Sequence, residues 1–313
     1  MRTLKISEIN RISKKKLIIL TGPTSSGKTS LSLELGRTLP TEIISADSMH
    51  IYKRFNIGTG KPSSESMRIV PHHLIDIIEA NQDFDAWNYM QLARQAIDRT
   101  DKDCLIVSGG TQLYIKSLIE GLAPEIPKDN HYRLELRNEL EKYGLKKLYK
   151  KLCLIDPESA NRIDSNDTQR VLRYLEISKV SGQKPSVLHA NQGINKLDHC
   201  ETIKVGLLIE KKDLDELINK RVELMIENGL INEVENLINL FGLNVKPIQS
   251  IGYKEICSHL KGELNKDEAI DKIKTNTRRL AKRQLTWLKK DKDMVWYKSS
   301  NELIAACTKF AIN

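Results

Sequence analysis

The run "LTGPTSSGKTS", Leu20 to Ser30, constrains this chain more than any other stretch. It fits G-x-x-x-x-G-K-[ST], with Gly22, Gly27, Lys28 and Thr29 at the fixed positions and Pro23, Thr24, Ser25 and Ser26 between them. A loop of this kind wraps a polyphosphate with backbone N–H groups and one lysine, so it must join a strand to the N-terminus of a helix. The flanks supply both. Leu17–Leu20 reads as a buried strand, and an apolar stripe through Leu31, Leu33 and Leu35 towards Leu39 reads as a helix. A plain Gly/Ser-rich turn is the alternative, and the strand–turn–helix context weighs against it.

The alternation recurs downstream. "TEIISADSMHIYK" is a short apolar strand ending at Asp47, and "FDAWNYMQLARQAIDRT" is helical through Phe84, Trp87, Met90, Ala93 and Ile97. "CLIVSGGTQLYIKSLIEG" is again strand, glycine turn, helix. Strands alternating with helices predict an α/β fold: a P-loop-type, doubly wound parallel sheet with ligands at the strand C-termini. After Pro124 the spacing turns helical, from Tyr132 to Val180; "SGQKPSVLHANQG" reads as loop, and Ile203–Glu210 returns as a strand. The expected organisation is a discontinuous core, residues 1–122 and 200–313, interrupted by a mostly helical insertion domain at 123–199. The last third is expected to be helical.

Bulk properties set the frame. A chain of 313 residues holds one large or two modest domains. The net charge of +9 suits a polyanionic partner, although a diffuse lysine excess also serves solubility. Five cysteines stand singly, none in C-x-x-C spacing, which predicts neither a disulfide framework nor a zinc site. No apolar run reaches membrane-spanning length and no signal peptide opens the chain, so no membrane contact and a cytoplasmic location are expected.

Several residues are candidates for chemistry. "CLIVSGGT" lacks the strand-end carboxylate that commonly helps to hold Mg²⁺ in phosphate-loop enzymes, whereas "EIISADS" ends in Asp47. Asp47 is therefore a magnesium helper, a base acting on another substrate, or a cap for the next turn. Thr111, after Gly109 and Gly110, is either a hydroxyl in reach of a ligand or a helix N-cap. His72 and His73 suggest a metal, but neighbours in a strand point to opposite faces and no third ligand is spaced nearby. Two stretches suit a polyanion. Gln169, Arg170 and Arg173 fall within one helical turn while Val171, Leu172 and Leu175 can pack inward. In Asp271–Lys292 nine residues are basic and two acidic; Leu280, Ala281, Trp287 and Leu288 can form a buried stripe, leaving Arg279, Lys282, Arg283 and Lys290 outside.

Together these motifs identify a family. "GPTSSGKT", "ISADSMHIYK", "IGTGKP", "PHHLID", "GGTQLYI", "NDTQRVLRYLEI", "SIGYKE" and "LAKRQLTWLK" follow one another as in bacterial-type tRNA dimethylallyltransferases, also called tRNA isopentenyltransferases, which this chain resembles from about Leu17 to Lys290. The resemblance implies that the loop holds the diphosphate of dimethylallyl diphosphate, and that the dimethylallyl group passes to N6 of the adenine just 3′ of the anticodon. It makes Asp47 the proton acceptor, a role open to an ordinary ionised carboxylate. Thr111 would bond at the reacting centre, and Lys28, Arg221 and a Mg²⁺ at Thr29 would stabilise the leaving diphosphate. The base must be flipped out of its stack.

The resemblance assigns tRNA contacts to Asp47, Ser48, Met49 and His50, to Thr111, and to Arg133. It adds Gln169, Arg170, Val171, Leu172 and Arg173, then Gln249, Ser250, Ile251, Gly252, Tyr253 and Lys254, and finally Lys282, Arg283, Gln284, Trp287 and Lys289. The expected partner is the tRNA anticodon arm, and the enzyme is expected to be a monomer. Two positions depart from the family pattern: His50 stands where Gln is common, and Gln112 where Gly is common. Three rivals are a nucleoside-type kinase, which leaves the basic stretch unexplained; a GTPase-like RNA module, which the N-K-x-D run Asn195–Asp198 taken alone would suit; and an isopentenyltransferase of free adenine nucleotides, which needs no long basic track.

Overall fold

The computed structural model describes residues 14–123, 126–190 and 196–313. Its frame is a six-stranded parallel sheet: β1 (Lys15–Thr21), β2 (Thr41–Ser45), β3 (His72–His73), β4 (Cys104–Gly109), β5 (Cys200–Leu207) and β6 (Met294–Tyr297), in the order β3-β2-β4-β1-β5-β6. β1 lies inside because its residues permit nothing else. Leu17, Ile18, Ile19 and Leu20 are fully buried between β4 and β5. A parallel strand covered on both faces needs an uninterrupted apolar run rather than alternation. The sheet's core continues into the helix Lys28–Thr38 through Leu31 and Leu35, and into the helix Ser300–Ile312 through Leu303 and Cys307.

The described chain divides into two compact units: residues up to Leu118 together with those from Asp198, and Ile119–Leu197. The boundaries fall within a few residues of the expected 123 and 199. The second unit is helical, with its own core of Tyr132, Leu136, Leu148, Leu152, Ala160, Ile163, Val171 and Leu175.

Five expectations are corrected. Pro185–Ala190 is a short helix, not loop; proline at its first position suits a helix start, where its missing N–H has no partner to lose. The strand expected at Ile203–Glu210 runs from Cys200 to Leu207, three residues earlier at each end, in register with β1. The helical last third contains β6, four residues held at the sheet edge by pairing with β5. Trp287 is 42% exposed instead of buried: inward positions of the helix Lys266–Leu288 are Ile273, Thr277, Ala281 and Leu288, and Trp287 falls on the outer side. The strand expected to end at Asp47 ends at Ser45, which leaves Asp47 in the turn beyond it.

Candidate active site

The site forms where β1, β2 and β4 end on the same edge of the sheet. The loop after β1 makes its turn with Ser25 and Gly27 in the left-handed region, at φ 65° and 79°. For Gly27 that conformation costs little; for Ser25 it is a strained choice of the kind found at functional loops. Ser25 Oγ is also buried without a hydrogen-bond partner in the protein. Gly27 then starts the helix Lys28–Thr38, so the loop and the positive helix end face the same space.

The ends of β2 and β4 are stitched together. Ala46 N donates to Ser108 O at 2.8 Å, and Thr111 N donates back to Ala46 O at 3.1 Å. Gly109 permits this approach, since a Cβ there would come 2.2 Å from Ala46 O. Ser48 N in turn donates to Thr111 Oγ1 at 3.0 Å, and Met49 N to Asp47 Oδ1 at 2.9 Å. Asp47 and Thr111, 64 positions apart in sequence, are thus fixed beside each other by backbone bonds.

Two cations complete the centre. Lys28 Nζ donates to Pro23 O at 2.5 Å. Arg221, on the helix Lys211–Glu227, donates from Nη1 to Thr24 Oγ1 at 2.9 Å and from Nη2 to Thr59 O at 3.0 Å. Burial and the neighbouring Arg221 guanidinium lower the Lys28 pKa to about 7, against a raising pull from Asp47. Burial also lowers the Arg221 pKa, again opposed by Asp47. Two cations crowded around one carboxylate leave a surplus of positive charge in a partly desolvated space, which suits a dianionic or trianionic group.

These residues share one cavity of about 990 Å³, which contains Thr24 to Thr29, Asp47 to His50, Thr111 and Arg221. Gln249, Ser250, Ile251, Gly252, Lys254, Arg283 and Gln284 line it too. Gly22 and Pro23 lie behind the wall, buried under the loop, and Gly22 leaves room for Ser26 Oγ, 2.9 Å from where a Cβ would sit.

The two departures have definite consequences. His50 Nε2 lies 3.4 Å from Thr59 O, which can only accept, and Nδ1 lies 3.1 Å from Ser45 Oγ. Burial lowers its pKa, so the ring is neutral at pH 7 with the proton on Nε2, aimed at the protein itself. Gln112 begins the helix Gln112–Glu120 with a negative φ and donates from Nε2 to Thr21 Oγ1 at 2.8 Å, so glycine's freedom is not required there.

Residues 50–291 match the family model described as IPP transferase. The chain belongs to the IPP transferase family. It is 44% identical over 288 residues to the tRNA dimethylallyltransferase of Halothermothrix orenii, covering 91% of this chain and 88% of the relative. The full-length tRNA isopentenylpyrophosphate transferase of Bacillus halodurans superposes with a TM-score of 0.69 at 35% identity, over 95% of this chain and 97% of that one. A eukaryotic dimethylallyltransferase, solved acting on tRNA, superposes with a TM-score of 0.81 at 27% identity, over 95% and 79% of the two chains.

Within this IPP transferase, the remaining sequence candidates are placed unevenly. Arg279, Lys282, Arg283, Lys289 and Lys290 are exposed, as is Trp287, on and just beyond the helix Lys266–Leu288. Tyr253 and Val171 are fully buried, so their side chains offer no surface to RNA; each is a core residue of its unit. In the helical unit Gln169 and Arg170 are exposed and Leu172 is half-buried. Arg133 and Arg173 both bind the buried Glu176: Arg133 at 2.6 and 2.9 Å, Arg173 at 2.7 Å. Their charge is partly spent inside the unit. His73 bonds Glu42 at 2.7 Å and His72 bonds Val70 O at 2.7 Å; no group of three metal-binding side chains occurs among the described residues.

Sequence reasoning missed Glu233. Its carboxylate accepts from the backbone N–H groups of Asn56, Ile57 and Gly58, at 2.8 to 3.2 Å, and from Tyr253 Oη at 2.6 Å. It clamps the loop whose next carbonyl, Thr59 O, holds Arg221 and His50. Nothing local marks Glu233 on its helix, because its backbone partners lie 175 to 177 residues away.

Proposed function

We propose that this protein transfers the dimethylallyl group of dimethylallyl diphosphate to N6 of the adenine just 3′ of the anticodon in tRNA, releasing diphosphate. Transfer of a dimethylallyl group to tRNA is the activity its family membership assigns. The finer reading rests above all on one observation. The loop, Lys28 and Arg221 surround the same cavity as Asp47 and Thr111, while β4 ends in glycines without a carboxylate.

The chemistry follows from that arrangement. The C1–O bond of the donor breaks and an N6–C1 bond forms. Negative charge grows on the departing diphosphate, where loop N–H groups, Lys28 and Arg221 stabilise it most. The adenine amine is a weak nucleophile, since its lone pair is delocalised into the ring. It becomes a better one as its proton passes to Asp47, whose carboxylate is held in place through Met49 N. Thr111 Oγ1 already accepts from Ser48 N, so its own proton is directed to another acceptor at the reacting centre.

A Mg²⁺ fits this site in a limited way. The cavity offers the Thr29 hydroxyl and the orphaned Ser25 hydroxyl, and no ready-made cage of three ligands stands among the described residues. That suits a cation held by one or two protein oxygens, water and substrate phosphates. Thr29 would hold it, and it would neutralise charge on the diphosphate.

The tRNA acceptor is supported by the exposed basic side of the helix Lys266–Leu288, and by Arg283 reaching the cavity wall. We take the anticodon arm as the docking element, with Gln169 and Arg170 of the helical unit as further contacts, and a cytoplasmic monomer as the working form. No helix among the described residues is long and apolar enough to cross a membrane. The deciding assay compares tRNA with AMP as acceptor for radiolabelled dimethylallyl diphosphate. Label should enter tRNA alone; transfer to AMP at a similar rate would make this a free-nucleotide enzyme.

A further inference from the structure

Gln284 belongs to the run "KRQLTW", whose neighbours Lys282, Arg283 and Trp287 are exposed. Its amide is turned the other way. Oε1 accepts from Thr24 N at 2.8 Å, and Nε2 donates to Gly110 O at 2.9 Å. The orientation of the amide follows from chemistry, because a backbone N–H can only donate and a carbonyl can only accept. One side chain therefore ties the phosphate loop to the glycine turn that carries Thr111. Gly110 is shaped for this approach: a Cβ there would stand 2.5 Å from Gln284 Nε2. The Thr24 end is equally particular, since Thr24 Oγ1 is the group that takes Arg221 Nη1.

We propose that Gln284 is a positioning residue of the diphosphate site, setting the loop at Thr24 against the turn at Gly110, and not a reader of RNA. Helical geometry separates the two roles. Ala281 and Leu288 pack inward, Gln284 sits half-buried between them, and Lys282 and Trp287 lie outward, so one helix serves RNA on one side and the donor loop on the other. The spacing between Thr24 and Thr111 then depends on an amide that touches neither the allyl group nor the adenine. This inference rests on the donor reading above for its kinetic test only.

The test uses Gln284→Met, which keeps stem length while removing both hydrogen bonds, and Gln284→Ala beside it. Dimethylallyl diphosphate binding to the free enzyme is measured by calorimetry, and tRNA binding by filter retention. Removing two hydrogen bonds should weaken donor affinity by about fivefold or more in both variants, leaving tRNA affinity within about twofold. The KM for the donor should rise more than kcat falls. Amide hydrogen exchange gives a readout free of any substrate: the Thr24 N–H should exchange faster in Gln284→Met, while amides of β1 stay as protected as in wild type. A drop in tRNA affinity with unchanged donor affinity would return Gln284 to the RNA surface, and unaltered exchange at Thr24 would overturn the proposal outright. If the wild-type enzyme bound no dimethylallyl diphosphate, the donor reading would fail, and the exchange result would still decide the role of Gln284.

Discussion

The chain carries positive charge in two places that behave in opposite ways. Lys28 and Arg221 sit half-buried in the cavity, each held by named protein oxygens and facing one carboxylate. Arg279, Lys282 and Lys290 sit on the outside of the helix Lys266–Leu288 and its end, and keep their hydration. The inner pair is positioned, so on the proposed reading its field acts on the bond that breaks. The outer set is screened by salt, so on the same reading it acts on tRNA association and its ionic-strength dependence. A count of lysines and arginines cannot tell these apart. The helical unit adds a third case, in which Arg133 and Arg173 are drawn inward by Glu176.

The largest effects should come from the inner set. Lys28→Ala removes a half-buried positive charge from the cavity and, on the proposed reading, should lower the single-turnover rate by about 10²-fold to 10³-fold. Asp47→Asn should lower it by about 10²-fold or more while tRNA affinity changes far less. Single-turnover rates near wild type in Asp47→Asn would leave Asp47 as a turn cap only.

Next comes the support of the inner set. Glu233→Gln replaces a carboxylate that collects three backbone N–H groups and a tyrosine hydroxyl with an amide that can accept through one oxygen. Hydrogen bonds to charged groups contribute about 1.5–3 kcal/mol, and urea unfolding should show a loss in that range. An unchanged midpoint with unchanged donor affinity would show that the Asn56–Gly58 loop holds Arg221 without help.

The pH dependence should follow Lys28. Its pKa of about 7 means that the lysine is charged below pH 7 and neutral well above it. Donor affinity should fall by about fivefold between pH 7 and pH 8, and Lys28→Ala should remove that slope. Stability should move the other way. The folded lysine has lost its proton between pH 7 and its unfolded value of 10.5, where the unfolded chain still binds it, so stability rises with pH across that window. A donor titration that is flat in pH for the wild type would contradict the inner assignment.

The outer set should give the smallest effect and a different signature. Arg279→Ala with Lys282→Ala should weaken tRNA binding by about threefold to tenfold. The slope of log affinity against log salt should shrink by about 0.7 to 0.9 for each phosphate no longer neutralised. Donor affinity should stay the same in calorimetry. An unchanged salt slope would make this side of the helix an ordinary solvated surface.

Much of this arrangement follows from the sequence alone, because its causes are local. The apolar run of β1, the loop from Gly22 to Thr29 and the helix after it are fixed by residues within a few positions of one another, and so is the strand–glycine–helix unit around Thr111. Period and turn chemistry act at that range. What the tertiary structure alone decided is every partnership made across the chain. β6 is four residues with no period of its own and exists because β5 offers an edge. Glu233 is an ordinary helical glutamate until the Asn56–Gly58 loop arrives from 175 to 177 residues away. Gln284 reads as one more polar residue on a basic helix until its amide meets Thr24, 260 residues distant. Arg133 and Arg173 read as free cations until Glu176 is buried beside them. A hydrogen bond needs a donor and an acceptor within about 3 Å, and only the folded chain, not the order of its residues, sets that distance.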